Sequence, residues 1–260
     1  MSEKKVVSFT GKGGVGKSTL LILLLKYLMQ NGKYKDILVI DADPDANVGD
    51  LIGKDVSFEE TVGGKMSELK RKIQRREFPP NMPKTSLIES EIFTSLIEME
   101  RFDILEMGRT EGEGCYCSVN NVIKNVIDIL SKNYDITLVD SPAGLEHFAR
   151  KTGRNVEDLF IVTDASKMGI HTIKRIVEIT EEVELKFKNI YVIGNRFSED
   201  LKDILIREIN KIDNSSVKFL GLIPNDDKIS EINISGRSLL TLSEDNPAYL
   251  KAKELFEQVL

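Results

Sequence analysis

Cysteine is nearly absent from this sequence, since Cys115 and Cys117 are the only two among 260 residues. One intervening residue separates them, which is too close for a useful cross-link between distant segments. No disulfide framework is therefore predicted, and a reducing, cytoplasmic location is expected. Long apolar runs are also missing. The longest, residues 20–25, is far too short for a membrane span, and the opening MSEKKVVSFT is unlike a secretory signal peptide.

Positive charge is not in excess either. The formal net charge is −6 at pH 7, so neither nucleic acid nor an anionic membrane is an expected partner. With 41% hydrophobic residues the chain can bury a substantial core. We predict one α/β domain over residues 1–260.

Short β-branched runs alternate with longer amphipathic segments. Runs such as ILVID, ITLVD and IYVIG are almost wholly apolar, as expected for strands covered on both faces. The alternation predicts a mostly parallel sheet flanked by helices, with right-handed crossovers. The predicted strands are residues 6–10, 37–41, 104–107, 136–140, 159–163, 190–194 and 217–223. The predicted helices are residues 17–31, 119–132, 169–184, 198–211 and 247–259.

Residues 54–101 interrupt this alternation with a charged, partly helical excursion. It contains the basic run KRKIQRR, and Pro79, Pro80 and Pro83 end any helix nearby. Two interpretations remain open: a solvated surface excursion, or a docking surface for a client protein.

The stretch GKGGVGKST follows one predicted strand and opens one predicted helix. It fits the phosphate-loop pattern G-x-x-x-x-G-K-[ST], in which backbone N–H groups surround phosphate oxygens. Lys17 is expected to hold the β- and γ-phosphates, and the Ser18 hydroxyl to ligate Mg²⁺. The predicted nucleotide-binding residues here are Gly11, Lys12, Gly13, Gly14, Val15, Gly16, Lys17, Ser18 and Thr19.

Cys115 and Cys117 can offer two thiolates to one soft metal ion, but a four-coordinate shell needs two more ligands. In an extended segment residues two apart point to the same side. A second copy related by a two-fold axis would supply the other two thiolates and complete a tetrahedral site that suits Zn²⁺, with Ni²⁺ or Cu⁺ also possible. A strained local disulfide, a redox-active pair and two small residues without special function stay open as alternatives.

The pattern K-G-G-x-G-K-[ST], with its second lysine Lys12, resembles the deviant Walker A motif of the MinD/ParA, arsenite-pump and nitrogenase iron-protein superfamily. The resemblance implies a doubly wound P-loop fold and an ATPase that converts ATP to ADP and phosphate as a homodimer. It also implies that Lys12 reaches the phosphates bound by the partner subunit. A charge delivered across the interface would act as an arginine finger does.

Further segments carry the same resemblance. DADPDANVGD looks like the family's switch I, which makes Asp43 the residue that positions the attacking water. VDSPAGLEH looks like switch II, with Asp140 contacting the Mg²⁺ shell through water and Gly144 offering its N–H to the γ-phosphate. Asn195 matches the adenine-contacting asparagine, and Pro224 lies in the segment that contacts the base edge. No N-K-x-D signature follows either position, so ATP is favoured over GTP.

The C-Y-C segment ahead of DSPAGLEH is similar to the CooC-type nickel-insertion ATPases. That likeness implies nickel bound between subunits by both cysteine pairs, and a client nickel enzyme, carbon monoxide dehydrogenase or acetyl-CoA synthase. Two rival functions are a MinD-like positioning or partner-binding switch, which DSPAG favours, and an iron-protein-like electron-transfer ATPase. The second is disfavoured because no cysteine follows Cys117. His147 is interpreted as a structural residue or an additional metal or switch residue.

Overall fold

A computed structural model describes residues 4–45, 47–78, 83–109, 127–142, 156–182 and 187–260. Within these ranges the strands are β1 Lys5–Gly11, β2 Ile37–Asp41, β3 Ile97–Glu98, β4 Asp103–Glu106, β5 Ile136–Asp140, β6 Asp158–Thr163, β7 Asn189–Asn195 and β8 Val217–Ile223. The α-helices are α1 Lys17–Asn31, α2 Val48–Ile52, α3 Val62–Gln74, α4 Lys84–Thr94, α5 Lys167–Glu182, α6 Lys202–Ile209, α7 Asp227–Ile234 and α8 Pro247–Glu257. In the same described ranges, short 3-10 turns cover Phe58–Glu60, Glu199–Leu201 and Leu239–Thr241.

The strands in the described ranges belong to one sheet with the order β3-β4-β2-β5-β1-β6-β7-β8. Every neighbouring pair is parallel except β3 and β4, which are antiparallel. The predicted mostly parallel sheet flanked by helices is therefore confirmed. Because β1 lies near the centre, the carboxyl ends of β2, β5 and β6 surround the start of α1, where ligands of such sheets bind.

Two apolar cores, one on each face, hold the helices against the sheet. On the α1 face Phe160 of β6 stacks on Phe9 of β1 with ring centroids 5.0 Å apart, and Phe256 of α8 meets it edge-on at 6.0 Å. Burying such rings supplies a large share of the hydrophobic stabilisation. The opposite face is covered by α3, α5 and α6, among other elements.

The predicted bounds of α1, β2, β5 and β8 agree with the structure, and the other predicted strands shift by one residue at one or both ends. Two predicted helices are shorter than expected. Residues 198–211 form a 3-10 turn followed by α6, and α8 ends at Glu257. The helix predicted at 169–184 begins earlier, at Lys167, and its described part ends at Glu182. Of the helix predicted at 119–132, residues 127–130 are helical, and 119–126 lie outside the described residues.

The charged excursion is more structured than a solvated surface segment. It contains α3 and α4, and it adds the unpredicted strand β3 to the sheet edge. Val62, Leu69 and Ile92 are buried, and Val62 and Ile92 belong to the second core. The excursion is thus packed on the domain through its sparse apolar positions while its charged residues face outward. No helix among the described residues combines the length and hydropathy needed to cross a bilayer.

Candidate functional site

The phosphate loop connects the end of β1 to the start of α1. Gly11, Gly14 and Gly16 have φ angles of 144°, 79° and 95°, values that L side chains rarely adopt. At Gly11 a Cβ atom would also lie 2.2 Å from the carbonyl oxygen of Val162 on β6. Gly16 precedes the first turn of α1, whose leading N–H groups have no partners within the helix. The loop therefore presents the donors that an anion requires.

Three carboxylates lie side by side across neighbouring strands at the carboxyl end of the sheet. Asp41 of β2 is in register with Glu106 of β4 on one side and with Asp140 of β5 on the other. Their exposed fractions are 0%, 3% and 1% respectively. Burial raises the pKa of Asp41 well above its usual range, and the charge of Asp140 raises it further. Burial likewise raises the pKa of Glu106, to about 7.

Asp140 connects this row to the phosphate loop. Its Oδ2 accepts a hydrogen bond from the Ser18 hydroxyl, while its Oδ1 is buried without a hydrogen-bond partner among the described residues. Burial raises the pKa of Asp140, and the Ser18 hydrogen bond and the Lys17 charge oppose that rise. A hydroxyl and a carboxylate with an unused oxygen are the hard ligands that Mg²⁺ prefers. The residues present therefore fit a magnesium ion beside the phosphates.

Asp43 lies in the loop between β2 and α2. Its main-chain N–H donates to Asp41 Oδ1 at 3.0 Å, and Asp41 Oδ2 accepts from the N–H of Val48 at 2.9 Å. The Asp43 carboxylate accepts from the N–H of Asp45 at 3.1 Å. Its charge contributes to the raised pKa of Asp140, which brings Asp43 into the electrostatic environment of the predicted magnesium site.

A groove opens beside the first turn of α1. Three predicted nucleotide-binding residues, Thr19, Asn195 and Pro224, line it together. The Asn195 side-chain amide donates to the carbonyl of Val15 at 2.8 Å, so this side chain contacts the phosphate loop as well as lining the groove. The groove thus brings these three predicted residues together directly next to the phosphate loop.

Lys17 and Lys12 differ in their surroundings. Lys17 is 7% exposed at the start of α1. Lys12 is 42% exposed, and its Nζ lies 3.7 Å from Asp164 Oδ2, just after β6. An exposed ion pair of this length contributes little stability, so the Lys12 side chain is available to another molecule.

The predicted metal ligands Cys115 and Cys117 lie outside the described residues, as do Gly144 and His147. Over the described parts of the chain, no three His, Cys, Asp or Glu residues are arranged to hold a metal ion by themselves. A magnesium ion at Ser18 and Asp140 would accordingly need phosphate oxygens and water to complete its shell.

Sequence reasoning missed two residues at this site. Glu106 ends a strand as Asp41 and Asp140 do. An acid at the end of each of three apolar strands is a pattern from which its place at this site could have been predicted. Arg196 also lines the groove, and its guanidinium donates to the carbonyl of Gly14 at 3.3 Å. Its φ is 57°, which is unusual for a residue other than glycine. No sequence pattern indicated that Arg196 would lie at this site.

Comparison with known proteins agrees with this geometry. The chain is 40% identical to an uncharacterized ATP-binding protein of Methanocaldococcus jannaschii, over 98% of each chain. It is 31% identical to the carbon monoxide dehydrogenase accessory protein CooC of Rhodospirillum rubrum, over 91% of this chain and 90% of that protein.

A solved structure of the septum site-determining protein MinD from Pyrococcus horikoshii, complexed with Mg-ADP, superposes with a TM-score of 0.68. It is 20% identical and covers 98% of this chain and 95% of its own, a likeness that shows the shared fold. The family model of the CobQ/CobB/MinD/ParA nucleotide binding domain matches residues 6–239. The chain belongs to this family of nucleotide-binding domains.

Proposed function

We propose that this protein is an ATP-hydrolysing metallochaperone that carries nickel, or zinc, at a homodimer interface and assists nickel insertion into carbon monoxide dehydrogenase or acetyl-CoA synthase. The hydrogen bond between Ser18 and Asp140, beside Lys17, is the main observation in favour of ATP hydrolysis. It joins the phosphate loop to a buried acid that is suited to Mg²⁺. The C-x-C pair and the 31% identity to CooC support the metal-carrying half. A cytoplasmic location follows from this function.

In the proposed reaction water attacks the γ-phosphorus of ATP and the bond to the β–γ bridging oxygen breaks, which yields ADP and phosphate. Lys17 and the N–H groups of the phosphate loop stabilise charge on the phosphoryl oxygens. Asp43 orients the water, and Lys12 from the partner subunit offsets charge as the bond breaks. Ser18 and Asp140 would hold Mg²⁺, which neutralises charge on the β- and γ-phosphates when bound. The groove formed by Thr19, Asn195 and Pro224 holds the base.

The metal is the cargo of this cycle. Cys115 and Cys117 of each subunit supply four thiolates when two copies meet, a set that suits Ni²⁺ or Zn²⁺. Nucleotide binding and metal binding would both depend on association of the subunits. Their free energies are therefore linked, and hydrolysis releases the cargo by loosening the dimer.

Two matched variants test the proposal. Lys17→Ala should abolish ATP hydrolysis, and a variant with both cysteines changed to Ala should lose stoichiometric Ni²⁺ and Zn²⁺ binding in equilibrium dialysis while it still binds ATP. Unchanged turnover in Lys17→Ala would overturn the phosphate-loop assignment. Retention of one metal ion per dimer by the cysteine-free variant would overturn the metal site.

A MinD-like switch is the second candidate, favoured by the sequence DSPAG and by 23% identity to the septum site-determining protein MinD of Thermotoga maritima over 94% of this chain. A MinD-like switch, however, would not explain the presence of the Cys115–Cys117 pair. The iron-protein-like alternative predicts a broad iron–sulfur absorption band at about 400 nm in protein purified without oxygen, since thiolates would hold a cluster. A colourless protein that binds nickel in a 1:2 ratio to subunits would support the metallochaperone.

A further inference from the structure

Arg196 has a strained backbone immediately after β7. Its φ of 57° lies in the left-handed region, which residues other than glycine seldom adopt. Its two neighbours are held firmly. The Asn195 amide donates to the carbonyl of Val15, and the buried Phe197 donates its N–H to the carbonyl of Ile223 at 3.2 Å. A glycine between them would avoid the strain, so the arginine side chain requires an explanation of its own.

Helix termination explains the same conformation elsewhere in the described chain. Arg76 has a φ of 56° at the end of α3. Its N–H donates to the carbonyl of Ile73 at 3.0 Å, and the N–H of Glu77 donates to the carbonyl of Lys72 at 3.1 Å. Such a pair of bonds commonly closes an α-helix around a left-handed residue. Arg196 follows a strand, so this local cause does not apply to it.

The Arg196 side chain extends from the groove to the phosphate loop. It lines the groove with Asn195 and Pro224, and its guanidinium donates to the carbonyl of Gly14 at 3.3 Å. That bond is longer than most N–H···O bonds and belongs to an exposed residue, so it contributes little stability. Across the described ranges Arg196 forms no ion pair with an acid. Its charge is therefore available to a ligand.

A nucleotide with its phosphates on the loop and its base in the groove would pass Arg196 where the two meet. The phosphates already have Lys17 and the N–H groups of the loop as partners. A guanidinium is planar and delocalised, and it stacks on aromatic rings better than an ammonium does. A nucleobase presents such a ring, and the positive charge adds a cation–π attraction to the stacking.

We propose that Arg196 is a base-binding residue whose guanidinium covers one face of the adenine of ATP, and that the left-handed backbone at this position serves that contact. The inference rests on the proposed function, since it takes the groove as the site of the base. It adds a planar cation to a site for which the sequence predicted only Asn195 and Pro224.

The experiment compares a ligand that has a base with one that has none. Wild type and Arg196→Ala are titrated calorimetrically, in the presence of Mg²⁺, with a non-hydrolysable ATP analogue and with tripolyphosphate. We expect the Kd for the analogue to rise about tenfold in the variant, as for the loss of one stacked cation, and the Kd for tripolyphosphate to change by about twofold or less. Support of the loop through Gly14, or attraction of the charge to phosphate, would weaken both ligands alike. Equal losses, or no loss for the analogue, would overturn the inference.

Two glycine variants guard against an effect of misfolding. Arg196→Gly and Arg76→Gly each relieve a left-handed arginine, with φ angles of 57° and 56°, so neither should lower the melting temperature. Arg196→Gly should bind the analogue as weakly as Arg196→Ala does, whereas Arg76→Gly should bind it as the wild type does. Wild-type affinity in Arg196→Gly, or an equal loss in Arg76→Gly, would contradict a contact between Arg196 and the base.

Lys17→Ala, in the same assay, keeps the two proposals apart. Both ligands present phosphates, so this variant should bind both of them more weakly. A wild type that binds neither ligand would overturn the proposed ATPase together with this inference. A wild type that binds the analogue no more tightly than tripolyphosphate would overturn the inference alone.

Discussion

The side-chain amide of Asn195 donates a hydrogen bond to the main-chain carbonyl of Val15, with 2.8 Å between nitrogen and oxygen. The end of β7 is thereby joined to the phosphate loop across 180 positions of sequence. Asn195 was predicted to contact adenine, and it does line the groove. Its bond to Val15 means that it also supports the loop that would hold the phosphates.

Replacing Asn195 should therefore weaken phosphate binding as well as base binding. In Asn195→Ala the carbonyl of Val15 loses its donor, and we expect a loss of about 1–3 kcal/mol in the free energy of unfolding. Asn195→Asp should be worse, because a carboxylate oxygen would face that carbonyl. Calorimetric titration with ATP and with tripolyphosphate, which has no base, separates the two roles. Weakened binding of ATP alone would show that Asn195 acts only on the base.

The Ser18 hydroxyl should govern the magnesium requirement. Ser18→Ala removes a proposed ligand and the hydrogen bond to Asp140, so about tenfold more Mg²⁺ should be needed for half-maximal nucleotide binding, the equivalent of one charge-assisted hydrogen bond. The measurement is a fluorescent-ATP titration at varied Mg²⁺. Ser8→Ala is the control, because Ser8 is a buried serine bonded to Ser141. It should lower the melting temperature and leave the magnesium requirement unchanged.

Lys12 should act across the subunit interface. Lys12→Ala and Asp43→Ala should each be inactive as pure proteins. In a mixed dimer, the site that keeps its own Asp43 lies on the Lys12→Ala subunit and receives Lys12 from the other. Random pairing of equal amounts makes half of the dimers mixed, each with one intact site, so about one quarter of wild-type turnover should return on mixing. No recovery in a mixture shown to exchange subunits would place the action of Lys12 within its own subunit.

Glu106 should make the fold less stable as the pH rises from about 4.5 to about 7. Burial raises its pKa from 4.5 to about 7, so between these values the folded chain holds a proton that the unfolded chain has released. The contribution of Glu106 to the free energy of unfolding falls as pH increases across that window, by about 3 kcal/mol at most at about 1.4 kcal/mol per pKa unit. Glu106→Gln cannot titrate.

Urea unfolding of the wild type and of Glu106→Gln at several pH values from 5 to 8 tests this, since the difference between the two proteins isolates the one carboxylate. The variant should gain stability relative to the wild type as the pH rises. A constant difference would show that Glu106 titrates alike in the folded and unfolded chains.

The sheet and the phosphate loop were predictable because their signals are local. Runs such as ILVID and ITLVD are typical of strands covered on both faces, and the glycine pattern specifies the turn from β1 into α1. Strand order could not be predicted, because no local pattern encodes it. The hydrogen bond from Asn195 to Val15 depends on that order, and so does the row of acids formed by Glu106, Asp41 and Asp140. The packing of the excursion was missed for a different reason. Its few buried residues, such as Val62 and Ile92, are diluted among charges, so that periodicity underestimates how firmly it is attached.

Gly11 illustrates how one residue can satisfy two demands at once. The space that a methyl group would need there is already filled by the carbonyl of Val162 on the adjoining strand. Packing against β6 alone would exclude a larger residue at this position, even in a related protein that no longer binds ATP. A glycine at this position is therefore weak evidence that a related protein still binds ATP, because packing alone requires it. Lys12 is better evidence, because its side chain is 42% exposed and is not held by the core.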